Sequence, residues 1–420
     1  KLLHLEKVLP ELTSVKDALG QLLSAFDRLP AENVSLARAL GRVLAEDVSA
    51  SLDLPPFTNS GMDGYAVRAA DTEPAPQPLT VIGDIPAGLA PDLKLHPGQA
   101  ARIMTGAMLP EGADAVIPIE WTDQPAFDPA QAFPHSITVR RSVQPGDFIR
   151  PLGQDVRAGA EILPAGHRLC AQDLGLLASF GFTTLKVVRR PRVALLSTGD
   201  ELVEPGLPLP PGKIHNSNTA MLNALVRQFG GKVCFQSTAP DEPQAIREMF
   251  ARALEQDPDL LLTSAGVSVG AFDYVRDCIQ SNGQLTLWRV NMRPGKPLAF
   301  GSYQRIPVIG LPGNPVSAFV TFQVFVVPVL QTLQGLPAES RPQVTVTLAE
   351  PIESDGRETY ARALVTWQDG AWRARLAEHQ GSGNLLSLVR ANALLIVPSG
   401  VKSLPVQAQA SAWWLHAGFS

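Results

Sequence analysis

Asp259-Leu-Leu-Leu-Thr-Ser-Ala-Gly-Val-Ser-Val-Gly-Ala-Phe-Asp273 is a short apolar run that empties into a glycine-bracketed loop. A brief apolar run bounded by small residues is what a strand buried on both faces requires, and the glycines after it leave the backbone bare where a ligand approaches. Two other stretches repeat the layout: residues 193–197 open into Thr198-Gly-Asp-Glu, and residues 308–310 open into Leu311-Pro-Gly-Asn-Pro-Val-Ser. Ligands of an open α/β sheet sit beyond the carboxyl ends of its strands, so three such loops converge on one pocket.

Working outward, strands and helices alternate from residue 192. Strand patterns at 193–197, 232–237, 285–288, 298–301 and 308–311 are interleaved with helix patterns at 218–229, from Asp241, at 274–280 and at 316–333. Such alternation predicts a three-layer α/β/α domain with a mostly parallel sheet. The helix at 316–333 is apolar nearly all round and reads as a core element in preference to a dimer contact. Its most apolar stretch, residues 316–330, is interrupted by Ser317, Thr321, Gln323 and Pro328 and reads as too short to cross a bilayer.

Upstream, residues 51–150 are rich in proline and glycine, with short runs at 79–82, 115–119 and 136–139, a β-rich module. Helical patterns at 14–26, 37–44 and 172–180 flank it, which makes it an insertion into a helical domain built from both ends. After residue 336 strand patterns return at 344–348, 363–367, 393–397 and 409–415. The fold class expected is multidomain α/β plus β. Residues 1–50 and 151–187 form a discontinuous N-terminal helical domain, 51–150 a β-rich inserted domain, 188–335 the α/β domain and 336–420 a small C-terminal β domain.

A chain of 420 residues with 37 prolines exceeds one hydrophobic core and carries many rigid loops. The net charge of −5 gives no whole-molecule attraction for nucleic acid or anionic lipid, so an anionic substrate needs a locally basic pocket. Cys170, Cys234 and Cys278 match neither a zinc spacing nor a disulfide framework and read as buried small residues in a reduced compartment. Residues 1–10 mix charges with leucines and show no signal-peptide core; the expected location is cytoplasmic.

Candidate chemistry gathers at the strand-end loops. Asp200 and Glu201 follow a buried strand, where adjacent carboxylates hold a hydrated Mg²⁺ or accept hydrogen bonds from a ring or sugar; a turn cap and a solvated acid explain them equally. Asp241 lies on the ligand side of the second strand, yet Asp before Glu-Pro also reads as a helix cap. Asp273 closes the glycine loop, either as a functional carboxylate or as the cap of the next helix. Arg289, Arg293 and Lys296 share a proline-pinned loop suited to an oxyanion, although charge clusters are commonly solvated faces. Pro312-Gly-Asn-Pro-Val-Ser ends a strand and starts a helix, so its first free N–H groups and Ser317 form an anion site. In the β-rich module Asp63-Gly64 reads first as a hairpin turn, with Thr105 and Asp155 beside other glycines. Arg362 and the glycine-flanked Ser382 are the C-terminal candidates.

Six motifs, in order, resemble the molybdopterin molybdenumtransferase family, the MoeA and gephyrin E-domain group. They are Pro55-Pro-Phe…Asn-Ser-Gly-Met-Asp-Gly-Tyr-Ala-Val, Arg102-Ile-Met-Thr-Gly-Ala…Gly-Ala-Asp-Ala-Val, Ser197-Thr-Gly-Asp-Glu-Leu, Gly266-Val-Ser-Val-Gly, Pro294-Gly-Lys-Pro and Leu311-Pro-Gly-Asn-Pro-Val-Ser. The resemblance implies an elongated four-domain homodimer that inserts molybdate into adenylyl-molybdopterin with Mg²⁺ and releases AMP. It also implies the molybdopterin adenylyltransferase as a partner.

It makes Asp63, Glu201, Asp241 and Asp273 the catalytic candidates, with Asp273 and Asp241 toward Mg²⁺. Thr105, Asp155, Asp200, Ser268, Arg289, Arg293, Lys296, Pro312, Gly313, Pro315, Ser317, Arg362 and Ser382 become the substrate-binding candidates. Ala265 and Ala271 stand where the family carries glycine and glutamate, and Arg293 where it carries lysine. The competing readings are an adenylyltransferase or nucleotide pyrophosphatase on the same α/β domain, and a non-catalytic gephyrin-like scaffold. Retention of every charged candidate except position 271 favours the enzyme.

Overall fold

A computed structural model describes residues 12–124, 132–264, 274–338 and 342–415. Two compact units emerge: Lys1–Ala45 with Gly166–Ala171 and Thr184–Ser420, and Glu46–Ala165 with Gln172–Thr183.

The larger unit is built on a six-stranded sheet in the order Lys232–Ala239, Arg192–Thr198, Leu260–Ser264, Ile306–Leu311, Pro297–Tyr303, Gly283–Arg289. The first four strands run parallel, and Pro297–Tyr303 is antiparallel to both of its neighbours. Both faces are covered. Val193, Leu195, Leu260, Leu262, Ile309 and Leu311 point into one core, while Ala194, Leu196, Leu261 and Val308 point into the other, against helices Pro243–Leu254 and Tyr274–Asn282. This two-sided burial is why the strands read as continuous apolar runs: alternate side chains face opposite layers, each large one contributing about 1.5–3 kcal/mol.

The first core is closed by the helix Pro315–Leu333, whose most apolar window is 89% buried inside the protein. At 19 residues it is long enough to span a bilayer, contrary to the expectation from sequence; burial within the chain is what makes it a core element. Its middle, Phe322–Val326, is a π turn. Pro328 has no N–H to return to the Val324 carbonyl, and the wider turn absorbs that break. Helix Val15–Leu23 joins the same core through Val15, Ala18 and Leu22, capped by the Ser14 hydroxyl, which accepts from the Asp17 N–H at 3.0 Å.

The C-terminal strands Glu358–Gln368, Ala371–Leu376, Gln343–Leu348, Gln409–Trp414 and Ala393–Val397 close on themselves, because Glu358–Gln368 pairs with both Ala371–Leu376 and Ala393–Val397. A sixth strand is borrowed from upstream: Met292–Arg293 pairs in parallel with Glu358 and Thr359. The barrel keeps its own interior of Val346, Leu348, Ala363, Val365 and Leu395, while Tyr360, Ala377, Leu388, Leu394 and Leu415 join the core of the Pro315–Leu333 helix, so the barrel packs onto the large sheet through a shared core.

The helix expected at 37–44 does not form. A single 3-10 turn, Leu36–Arg38, precedes Gly41 at φ +72°, and Val43 and Leu44 then bridge Arg168 and Val187. The left-handed backbone at Gly41 ends any helix there. Of the three cysteines only Cys278 is buried; Cys170 and Cys234 are half-buried, and none of the three is in a disulfide.

The smaller unit holds the β-rich module. Its five-stranded sheet runs Ala115–Pro118, Gly64–Val67, Gln99–Ile103, Gln77–Ile85, Ser136–Val139, with helix Ala171–Ser179 closing the unit.

Candidate active site

The larger unit holds two cavities, one where the parallel strands end and one between the loop at 293–296 and the C-terminal barrel. The first, of about 450 Å³, is lined by Thr198, Glu201, Asn218, Ser264, Pro312 and Pro315, among others. Thr198 and Ser264 are the last residues of adjacent parallel strands, so the cavity lies where an α/β sheet presents its ligand site. Helix Ser217–Gln228 starts at its rim, with the Asn216 side chain accepting from the Thr219 N–H at 3.1 Å and donating to Thr238 Oγ1 at 2.9 Å.

The second cavity, of about 350 Å³, is basic. Arg293, Lys296, Arg357 and Arg362 line it together with Ser317, Gln380, Gly381 and Ser382. Arg362 is 1% exposed. Its Nε donates to Ser387 Oγ at 3.0 Å and its Nη2 to the Gly381 carbonyl at 3.0 Å, and among the described residues no carboxylate pairs with it. Burial, and secondarily the charge of Arg293, push its pKa down to about 10, which leaves it cationic at neutral pH. A buried cation with only neutral acceptors calls for an anion from outside.

The other cations are set by backbone. Arg293 is held because Met292–Arg293 is a strand of the C-terminal sheet, and Gly295, at φ +103°, turns the chain so that Lys296 follows into the cavity. A Cβ at Gly295 would collide with Thr321 Oγ1 of the long helix. Gly295→Ala is therefore expected to cost about 1–3 kcal/mol of stability and to weaken oxyanion binding in parallel, measured by denaturant unfolding and by molybdate titration.

Asp355 accepts from the Nε of Arg357 at 3.0 Å and lies 3.9 Å from the Nη1 of Arg293. The hydrogen bond from Arg357 holds the Asp355 carboxyl below the usual carboxylate range. As the one acid among the described residues tied to these two cations, it competes with any bound anion. Asp355→Asn is expected to tighten oxyanion binding a few-fold, since a partly exposed pair of this kind is worth up to about 1 kcal/mol; a titration showing weaker binding contradicts this.

The sequence candidates therefore separate. Arg293, Lys296, Ser317, Arg362 and Ser382 meet in the basic cavity, and Glu201, Pro312, Gly313 and Pro315 in the strand-end cavity. Arg289 ends the strand Gly283–Arg289 and lines neither. Asp200 accepts from the Asp241 N–H at 3.1 Å, and both acids are exposed outside the two cavities. Asp241 is not the helix cap: Pro243 occupies the first turn and Glu242 the cap position, without a side-chain hydrogen bond. Of the N–H groups expected to receive an anion at the long helix, that of Val316 is already taken by the Ser382 carbonyl at 3.1 Å. Ser268 and Asp273, with Ala265 and Ala271, lie outside the described residues.

In the smaller unit Asp63 and Thr105 come together, the carboxylate accepting from the Thr105 N–H at 2.7 Å and from its hydroxyl at 2.8 Å. Asp63-Gly64 is thus not a hairpin turn; Gly64 opens the strand Gly64–Val67, where a Cβ would strike the Ile117 carbonyl. Asp155 is exposed, its N–H bonded to the Leu54 carbonyl at 2.9 Å.

Arg357, Asp355, Gln380 and Asn218 were not singled out from sequence. The first two meet Arg293 through a pairing between distant segments, for which no local pattern exists. The Asn216-Ser-Asn218 run just ahead of an apolar helical face was the signal available for the last.

Comparison with known proteins agrees with this geometry. Residues 13–181 match the family model of the MoeA N-terminal region (domain I and II), 194–332 that of a probable molybdopterin binding domain, and 345–408 that of the MoeA C-terminal region (domain IV). The molybdopterin molybdenumtransferase of Nostoc sp. is 39% identical over 412 residues, covering 95% of this chain and 92% of that protein. Molybdopterin molybdenumtransferase 2 of Mycobacterium tuberculosis is 40% identical over 391 residues, covering 90% and 94%. The crystal structure of the molybdopterin biosynthesis MoeA protein from Pyrococcus horikosii superposes with a TM-score of 0.80 at 31% identity, covering 97% of this chain and 100% of that one. From the motif order and these matches, the chain belongs to the MoeA family of molybdopterin molybdenumtransferases.

Proposed function

We propose that this protein is a molybdenumtransferase of molybdenum cofactor biosynthesis, inserting molybdate into adenylyl-molybdopterin with release of AMP. The observation that carries the reading is Arg362, a cation 1% exposed that pairs with no carboxylate among the described residues, in a cavity lined by three further cations and by Glu353. Molybdate and the substrate's phosphates are the anions such a cavity takes. Arg362 presents a fixed guanidinium fork, Ser317 and Ser382 supply hydroxyl donors, and Arg293 and Lys296 neutralise the remaining charge. Fixed dipoles and cations around a developing oxyanion need no reorganisation during reaction, which is the main electrostatic advantage such a site offers.

Magnesium ordinarily takes one or two protein carboxylates and completes its shell with water and substrate phosphate. Glu201 supplies one such carboxylate in the strand-end cavity, so the donor set is compatible with it, whereas Asp241 does not line that cavity. When bound there, the ion would neutralise charge on the phosphoanhydride that is cleaved. We further propose that the protein acts as a cytoplasmic homodimer of four domains and receives its substrate from the molybdopterin adenylyltransferase; the family resemblance supports this.

Purified protein incubated with adenylyl-molybdopterin, Mg²⁺ and molybdate is expected to release AMP and yield cofactor that reconstitutes a molybdoenzyme. Absence of both products overturns the reading; AMP release that ignores molybdate points instead to the pyrophosphatase.

A further inference from the structure

Arg362 is gripped from behind at two levels. Its strand, Glu358–Gln368, is laddered to Ala371–Leu376 as far as the pair of Ala363 with Leu376. One residue beyond, the Gln380 side chain continues the ladder: its Oε1 accepts from the Arg362 N–H at 2.9 Å and its Nε2 donates to the Arg362 carbonyl at 3.1 Å. The backbone at 362 is thereby fixed.

The guanidinium is fixed by a residue outside the cavity wall. Ser387, on the helix Leu385–Arg390, is 0% exposed, and its hydroxyl donates to the Asn384 carbonyl at 2.6 Å. With its one proton committed, the oxygen is left to accept, as Arg362 Nε at 3.0 Å requires. A helical serine commonly returns its proton to a carbonyl one turn back, and that alone explains a hydroxyl here. It does not explain why a buried cation 25 positions away hangs from the same oxygen. Nη2 is taken by the carbonyls of Gly381 at 3.0 Å and His379 at 3.4 Å, so one edge of the planar group is occupied. The nitrogen left over is Nη1, for which the described residues offer no acceptor. We infer that Ser387 is a positioning residue, whose hydroxyl holds Arg362 by Nε so that Nη1 is offered to the oxyanion in the basic cavity. The inference rests on the proposed function and deepens it, naming what orients the cation that the anion meets.

The test titrates molybdate, and separately phosphate, calorimetrically into the full chain. Ser387→Ala is expected to weaken both anions roughly tenfold, the worth of one charge-assisted hydrogen bond. Ser387→Thr, which keeps the hydroxyl, is expected to recover most of that loss. In an Arg362→Lys background Ser387→Ala is expected to change nothing further, because lysine has no guanidinium edge to seat and two residues acting as one unit are not additive. Should Ser387→Ala lose its cooperative melt, Ser387→Cys takes its place, since the thiol fills similar space and accepts only weakly. Wild-type affinity in Ser387→Ala, an equal loss in the Arg362→Lys background, or a Ser387→Thr protein as weak as Ser387→Ala each overturns the inference, and so does a wild type that binds neither anion. Coupled binding without molybdate-dependent AMP release would overturn the proposed reaction and leave the role of Ser387; release with uncoupled binding would do the reverse.

Discussion

Replacing Arg362 with methionine is expected to abolish the rise in melting temperature that molybdate or phosphate gives the wild type, while the unliganded protein stays folded. Losing one partner of a buried charged contact costs about 2–5 kcal/mol of binding, or roughly 30- to 4000-fold in affinity. The methionine leaves Ser387 Oγ and the carbonyls of Gly381 and His379 without this donor, at about 1–3 kcal/mol, but it also removes a desolvated charge that has no carboxylate partner. The two effects offset, so the unliganded melting temperature moves little. Arg362→Lys keeps the charge without the planar fork and should fall between the two. The measurement is a thermal melt across oxyanion concentrations, in which ligand binding to the native state raises stability by RT ln(1 + [L]/Kd). A variant with an undiminished shift would remove Arg362 from the site.

Ending the chain after Leu336 is expected to have a still larger effect. That truncation removes Tyr360, Leu388, Leu394 and Leu415 from the core of the Pro315–Leu333 helix and strips the partner strand from Met292–Arg293. Four large side chains at about 1.5–3 kcal/mol each reach the whole stability of an ordinary domain, about 5–15 kcal/mol. The truncated protein should be insoluble or lack near-ultraviolet circular dichroism, and should show no oxyanion-dependent stabilisation. A soluble product with a cooperative unfolding transition and normal molybdate affinity would contradict the dependence of the long helix's core on those four side chains.

The central sheet was legible because its signal is local: Leu260–Ser264 and Arg192–Thr198 are apolar throughout, and two-sided burial demands that. The cation loop was legible for a similar reason, since Arg293, Lys296 and their prolines are neighbours in sequence. Where a single backbone angle decides, as at Gly41, the apolar spacing at 37–44 misled. The Asp241 cap failed by one residue, because Pro243 fixes the first turn and makes Glu242 the cap. Arg362 and the glycine-flanked Ser382 stood out as C-terminal candidates, but only family resemblance pointed to them as oxyanion contacts, and no local pattern foretold the burial of Arg362. Asp355 and Arg357 became visible only when folding brought Glu358–Thr359 beside Met292–Arg293, 65 positions away in the contact from Arg357 to the Met292 carbonyl.

That borrowed strand also sets an order of events at the ribosome. Arg293 and Lys296 leave the exit tunnel well before the segment that fixes them, and at about 5–20 residues per second the interval lasts seconds. Throughout it the nascent polypeptide carries loose positive charge, and the basic cavity closes around it only once the strands from Glu358 onward have been translated.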